Sequence, residues 1–526
     1  MHSPDARYDV VIIGSGAGGG TIAHRLAPSG KRILILERGD YLPREEANWD
    51  ERAVFEDARY RAKEAWLDAD GQRFTPFTHY CVGGNTKVYG AALLRMREDD
   101  FEEVRHYGGV SPAWPVRYDE FEPYYGQAER LYWAHGQSGI DPCEPWRSDA
   151  LPYPPIAHEE RIAELAQDLR TLGHRPFPVP IGVRICARPG AAPVRLSRFD
   201  GYPDPTEVKA DAHVVGVEAA LAWDNVTMLT RCRVDRLETD VSGHRVTTVV
   251  ATRDGEQVRV RADIVVVACG AINTAVLLLR SASELHPAGL ANRSGVVGRH
   301  LMKHLNGVLL AVCERENDAV FQKTLGMTDF YRGAEDSSLP LGTAQLMGKP
   351  DEGTVRWAQG DALSGWSAQD VLRRSVDFFL TSEDLPDPEN CVRISADGSL
   401  KVAYSPNNTK AYDRLERKME DTLTRTEALH SRAAPVFLKA RLGISGVSHQ
   451  CGTVRFGDDV SKSALDRDCK AHDLDNLYVA DGSFFPSSAA VNPSLTIMAN
   501  ALRVGDVILD RLGCGVACGV AEGSAR

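Results

Sequence analysis

Apolar residues along this chain gather in short continuous runs set between glycine-rich turns, a pattern that predicts strands buried on both faces of a parallel sheet. Tyr8 to Ile13, YDVVII, is such a run, too short for a helix and rich in Val and Ile. A helix is predicted from Thr21 to about Ala27, stopped by Pro28 and Gly30, and a second strand from Arg32 to Leu36. Near alternation around Val226, Met228, Leu229 and Val234 predicts more strands. VTTVVATRDGEQVRVRADIVVVACG predicts a hairpin that leads into a buried strand, Ile264 to Ala268; a turn at Gly270 and a helix from Ile272 to Arg280 follow. Strand, glycine turn and helix therefore recur as a second parallel unit. Trp49 to Thr78 is charged and helical in character, and Arg161 to Leu172 predicts a helix. Ser382 to Tyr404 is punctuated by turns, as antiparallel strands are, and Arg414 to Arg432 predicts an amphipathic helix with a solvated charged face. Asn476 to Pro486 predicts a buried strand; Asn492 and Pro493 then open a long helix, with Asn as N-cap and Pro at the first helical position.

The composition is that of an ordinary globular protein: 526 residues, 43% hydrophobic and 25% charged. A formal net charge of −12 argues against nucleic acid or an anionic membrane as partner. No run approaches 18 apolar residues, so no membrane span is expected, and no charged n-region with an apolar h-region precedes the first strand. Eleven cysteines, scattered without a CxxC pair, suit a reducing compartment, and the protein is expected in the cytoplasm. Residues 513–526, with Cys514 and Cys518, read as a flexible Gly/Ala-rich tail.

The turn after the first strand changes the picture. Gly14, Gly16 and Gly19 form GxGxxG, in which the first glycine permits the tight turn, the second admits a pyrophosphate and the third lets helix pack on strand. Phosphates would meet free N–H groups and the positive dipole end at the helix N-terminus. Glu37 ends the second strand 18 positions after Gly19 (37 − 19), where an acid can bond both hydroxyls of an adenosine ribose. Strand, motif, helix, strand and acid in register point to a dinucleotide, and they leave NAD and FAD both open.

Other stretches carry weaker chemistry on their own. Gly83, Gly84 and Gly90 in HYCVGGNTKVYGAALLRM suggest backbone pressed against a ligand or a plain surface loop. The aromatic and Pro-rich stretch 118–205 looks like an insertion that covers something. His300 and His304 have the i, i+4 spacing of a metal pair, but no third ligand is evident and they read as loop or core histidines. His449, in the loop GVSHQCGTVRFGDD, reads on local sequence more readily as a structural loop histidine than as a catalytic one.

Taken together, YDVVIIGSGAGGGTIAHRLA, VGGNTKVYGAAL, ACGAINTAVLLLRS, SHQCGTVRFG and VNPSLTIMANALR resemble the glucose–methanol–choline (GMC) family of flavoprotein alcohol oxidoreductases over nearly the whole chain. The resemblance implies an α/β fold: a Rossmann-like FAD-binding domain from segments 1–117, 206–304 and 443–512, and an interleaved α+β substrate domain with an antiparallel sheet at 305–442, with 118–205 as lid and insertion. It implies non-covalent FAD on Gly14, Gly16 and Gly19, with Glu37 and Arg38 at the adenosine ribose. Gly83, Gly84, Asn85, Thr86 and Val88 would lie at the flavin, Val234 near the adenine, Ala268 and Gly270 at the adenosine end, and Asp481 and Gly482 along the ribityl and pyrophosphate. The helix opening at Asn492 and Pro493 would point its N-terminus at the flavin pyrimidine ring. His449 falls at the family's catalytic histidine and Asn492 at its partner position. The implied reaction is oxidation of a CH–OH group by hydride transfer to flavin N5, most like the sugar, glycoside and aminosugar oxidisers; a non-sugar alcohol, or flavin binding without catalysis, is the alternative. Oxygen, a quinone or a redox protein would take the electrons. Two residues depart from the family pattern: Val88 stands where covalent members carry His, and Tyr89 where many carry Asn.

Overall fold

The structure is a computed structural model that describes residues 7–185, 199–359, 365–446 and 449–515. The chain opens with β1 (Arg7–Ile13), α1 (Ala17–Leu26) and β2 (Ile33–Leu36). The strands are parallel, with Val10 opposite Ile33 and Ile13 opposite Leu36. A turn holding Pro28 and a left-handed Gly30, φ +69°, stop the helix as expected.

Residues 49–78 depart from the sequence reading. Helical turns cover only Glu46–Trp49 and Arg52–Glu56, and Trp66–Leu67 then pairs with Arg73–Phe74 across a turn at Gly71, φ +81°. Charge alone carries no period, and here the Trp66 and Phe74 rings, 6.1 Å apart, set the pairing. The segment expected to cover the site opens with α2 (Tyr118–Leu131), which packs inside the main core instead: Phe121 and Tyr125 are fully buried, and Tyr125 Oη shares a 2.8 Å hydrogen bond with Thr496 Oγ1.

Four strands follow, β3 (Val226–Leu229), β4 (Cys232–Thr239), β5 (Val246–Arg253) and β6 (Glu256–Val267), and then α3 (Ala271–Arg280). Next come β7 (Leu305–Val312), β8 (Leu325–Met327), β9 (Thr343–Leu346), β10 (Ser375–Ser382), α4 (Thr409–Glu427) and β11 (Val436–Arg441). The chain closes with β12 (Leu477–Val479) and α5 (Ser494–Arg511).

The main sheet runs β3-β2-β1-β6-β5-β4, with β12 on the free side of the second half of β6. Its strands come from three separated parts of the chain. β6 first makes a hairpin with β5, then runs parallel to β1 and β12. Both faces of this parallel part are covered, so residues 10–13 of β1, all of β2 and residues 264–267 of β6 are apolar throughout.

The second sheet, β11-β7-β10-β9-β8, is antiparallel and is completed by Phe177–Pro178. Its alternation sorts two faces. Leu309, Phe378, Leu380 and Ala344 pack with Leu415, Met419 and Leu423 of α4. Val308, Phe379 and Gln345 stand in register on the other face, toward the main sheet. The turn-punctuated stretch 382–404 does form an antiparallel hairpin, Cys391–Ile394 with Leu400–Ala403, but it joins the small sheet of Trp66–Leu67.

Candidate active site

A cavity of about 480 Å³ lies between the two sheets. It collects Gly14, Gly16, Glu37, Arg38, Gly84, Asn85, Thr86, Val88, Val234, Ala268, Gly270, His449, Asp481, Gly482, Asn492 and Pro493 on its walls. Of the predicted site residues, Gly19 and Gly83 stand just behind the wall. A Cβ on Gly19 would lie 2.0 Å from Gly14 O, which is the close helix–strand packing expected of the third motif glycine. Gly83, φ +92°, is backed by His213 and donates its N–H to Ser15 Oγ at 3.1 Å.

The glycine turn is tighter than the motif alone specifies. A Cβ on Gly18 would sit 1.4 Å from Ala480 O, so this unassigned glycine is what lets the turn meet the end of β12. Gly16 is the N-cap of α1, with no side-chain cap and no acid in the first turn, and Gly16, Ala17 and Gly18 line the cavity, so among the described residues the first N–H groups of the helix are left to it. On the adjoining β6–α3 turn a Cβ on Gly270, φ +84°, would meet nothing within 4 Å. Such a cradle suits a phosphate-bearing ligand.

Carboxylates fix the turns. Glu37 Oε2 accepts from Ser15 N at 3.1 Å and Ser15 Oγ at 2.6 Å, and Oε1 accepts from Gly39 N at 2.8 Å. Burial pushes its carboxyl up, and these donors oppose the shift. Ser15, unremarked in the sequence, thus ties β2 to the loop at Gly83. Asp481 accepts from Gly270 N at 2.9 Å and Thr274 Oγ1 on one oxygen, and from Ser483 N at 2.9 Å on the other, joining β12 to the β6–α3 turn. Arg38 lies 3.6 Å from the Tyr80 ring centroid and pairs with Glu64 at 3.0 Å. Tyr89, the departure from the family pattern, donates its hydroxyl to Ala210 O and so ties its own loop down.

At the other end the face of the second sheet meets His449 and Asn492. His449 Nδ1 lies 3.0 Å from His304 Nδ1 and 3.3 Å from Asn306 Nδ2, and His304 Nε2 donates to Ser488 O at 2.9 Å. Burial, with His304, Lys303 and Lys323 close by, holds the His449 ring well below the usual histidine value. Lys323 Nζ is itself paired with Asp200 at 2.8 Å. Asn492 does not cap α5: the N-cap is Pro493, and the Asn492 Oδ1 accepts instead from Gln345 Nε2 at 2.8 Å. The expected cap fails because a neighbouring strand takes that oxygen. His304 and Gln345 are thus site residues that the sequence does not single out: the first reads there as a loop or core histidine, and the second gives no signal.

Known proteins share this plan. Residues 9–398 match the model of FAD dependent oxidoreductases, and residues 386–501 that of GMC oxidoreductases. Paromamine 6'-oxidase of Streptomyces fradiae is 32% identical over 95% of this chain and 91% of its own. The chain belongs to the GMC oxidoreductase family. A second relative, 6'''-hydroxyparomomycin C oxidase of Streptomyces lividus, is 32% identical over 97% of this chain and 92% of its own. The crystal structure of pyridoxine 4-oxidase from Mesorbium loti has the same fold, with a TM-score of 0.66 at 18% identity over 95% of this chain and 98% of that one. As a GMC oxidoreductase the protein is an FAD-dependent enzyme that oxidises CH–OH groups. The unspent N–H groups of α1 and the open side of Gly270 fit that cofactor. Among the described residues no helix is long and apolar enough to cross a membrane.

Proposed function

We propose that this GMC oxidoreductase oxidises a hydroxyl of a sugar, glycoside or aminosugar to the carbonyl, with His449 as base and Asn492 as the group that holds the hydroxyl. The observation that carries the residue roles is that a neutral, buried imidazole and an amide line the same cavity as the glycine cradle. Identity to two enzymes named for aminoglycoside substrates, along nearly the full length of each, supports the substrate class.

Gly14, Gly16 and the first N–H groups of α1 would hold the pyrophosphate, while Glu37 and Arg38 would face the ribose and Val234 the adenine. Gly84, Asn85, Thr86 and Val88 would lie along the flavin, held in place by the bond from Thr86 Oγ1 to Gly83 O at 2.5 Å. FAD, when bound, supplies the acceptor for the hydride that leaves the carbon. His449 takes the hydroxyl proton, which it can do because burial keeps it neutral. Asn492 aims an N–H at the same oxygen, since Gln345 occupies its Oδ1. The nine described cysteines are all free, which supports a reducing compartment such as the cytoplasm.

The test is the flavin spectrum of the holoenzyme without oxygen, before and after adding sugars, glycosides, aminosugars, sterols or simple alcohols. Bleaching by the sugar group is the expected result, and bleaching by sterols or simple alcohols alone would overturn the substrate class. Readmitted air then separates oxygen from a quinone or redox protein as acceptor. His449→Ala should keep FAD yet reduce it more slowly by about 10²- to 10⁴-fold; a near-normal rate would remove His449 from the role of base.

A further inference from the structure

Two histidines of the site meet through the same kind of atom. His304 Nδ1 and His449 Nδ1 are 3.0 Å apart, with the rings perpendicular and their centroids 5.1 Å apart. A nitrogen pair at that distance needs one proton between it, since two lone pairs would repel and two N–H groups would clash. Which ring owns the proton decides which nitrogen of His449 is left as a base.

The far side of His304 settles the question. Its Nε2 is 2.9 Å from Ser488 O, and a carbonyl can only accept, so Nε2 carries a proton. His304 is completely buried, and burial with Lys303 outweighs the pull of the Ser488 and Ala489 backbone and of Glu383 to keep the ring neutral. A neutral ring with Nε2–H has a bare Nδ1. The proton between the rings therefore belongs to His449 Nδ1.

We propose that His304 is the positioning residue that fixes the tautomer of His449, holding a proton on its Nδ1 and leaving Nε2 as the bare nitrogen that takes the substrate proton. The inference rests on the reading of His449 as the base. Among the described residues, both hydrogen-bonded contacts of the His449 ring are made through Nδ1, while the residue lines the cavity, so Nε2 is the nitrogen left for a ligand. In the step it serves, the O–H bond breaks and its proton goes to Nε2. The electron pair of that bond becomes the second bond of the carbonyl as hydride leaves the carbon.

Asn306 agrees once its amide is turned. With Nδ2 toward His449, Asn306 Oδ1 is buried with no partner among the described residues, and the amide N–H would face the Nδ1–H of His449. Turned over, Oδ1 accepts from His449 Nδ1–H, and the amide loses only a 3.4 Å contact from Nδ2 to Lys303 O. The backbone shows the same constraint, since His304 sits at φ +63°, where a residue with a Cβ is held only by its surroundings.

Three measurements on the holoenzyme test this. Nitrogen NMR of ring-labelled histidine, with the His449 signals assigned by their loss in His449→Gln, should show Nδ1 protonated and Nε2 bare at neutral pH. A proton on Nε2 in the unaltered protein would overturn the proposal, whatever the variants do. His304→Asn keeps an acceptor at the Nδ1 position and suits a positive φ, whereas His304→Leu removes the acceptor. The Leu variant should move the His449 proton toward Nε2 and slow flavin reduction by about 10²- to 10⁴-fold with little change in KM, as a wrong tautomer does elsewhere. The Asn variant should recover most of both, and equal slowing by the two would refute a role through the tautomer. Should the NMR find Nδ1–H while no alcohol bleaches the flavin, the tautomer assignment is supported and it is the proposed reaction that falls.

Discussion

Gln345 Nε2 donates to Asn492 Oδ1 at 2.8 Å, and this one bond determines which end of the Asn492 amide is free. Gln345 is almost fully buried, on the sheet face that also carries Val308 and Phe379. In Gln345→Glu a carboxylate oxygen would replace the donor and repel Oδ1, so the amide would turn its oxygen to the substrate. The expected loss in kcat/KM is about 10- to 100-fold, one to two steps of about 1.4 kcal/mol. An unchanged kcat/KM would show that Asn492 is oriented by something else.

The pH dependence of flavin reduction follows from the His449 environment. Burial first, then His304, Lys303 and Lys323, depress its pKa below 6.5. A depressed folded value means that the neutral base persists below pH 6.5 and is lost only as pH falls through that lower value. The rate at saturating alcohol should therefore stay flat through pH 6.5. Stopped-flow reduction across the acid range checks this, and an acid limb at or above pH 6.5 would contradict it.

Glu37 accepts three donors in a site from which water is nearly excluded, as only 5% of the residue is exposed. Glu37→Ala would strand those donors at about 1–3 kcal/mol each. The variant should lose FAD on gel filtration and melt at a lower temperature. Full FAD occupancy after extensive dilution would argue against contact between this wall and the cofactor.

Val88 lines the cavity, and its isopropyl group offers no nucleophile for a covalent flavin link. Acid precipitation of the holoenzyme should leave a yellow supernatant and a colourless pellet. Yellow pelleted protein would mean that another residue holds the flavin covalently.

What the sequence reveals and what it hides divide along one physical line. The β1–α1–β2 turn is legible because its constraints lie within a few residues: a run of Val and Ile, glycines at fixed offsets, and an acid at the next strand end. Asn492 is legible as a polar residue before a helix, yet its actual partner lies 147 positions away on β9. Spacing pairs His304 with His300, whereas the fold brings it to His449 across 145 positions. Sequence periodicity has no term for such meetings. The aromatics of α2 misled for a related reason: composition is the same for a ring that covers a site and for Phe121 or Tyr125 in the core.

The contact between Gly18 and Ala480 orders events in time as well as space. These residues are 462 positions apart (480 − 18), and a ribosome adding about 5–20 residues each second needs about 20 to 90 s to deliver the second after the first. During that interval β1, α1 and β2 exist without the strand that closes their turn. A nascent chain therefore has the motif long before it has the pocket, and the turn can close around FAD only after Ala480 has been made.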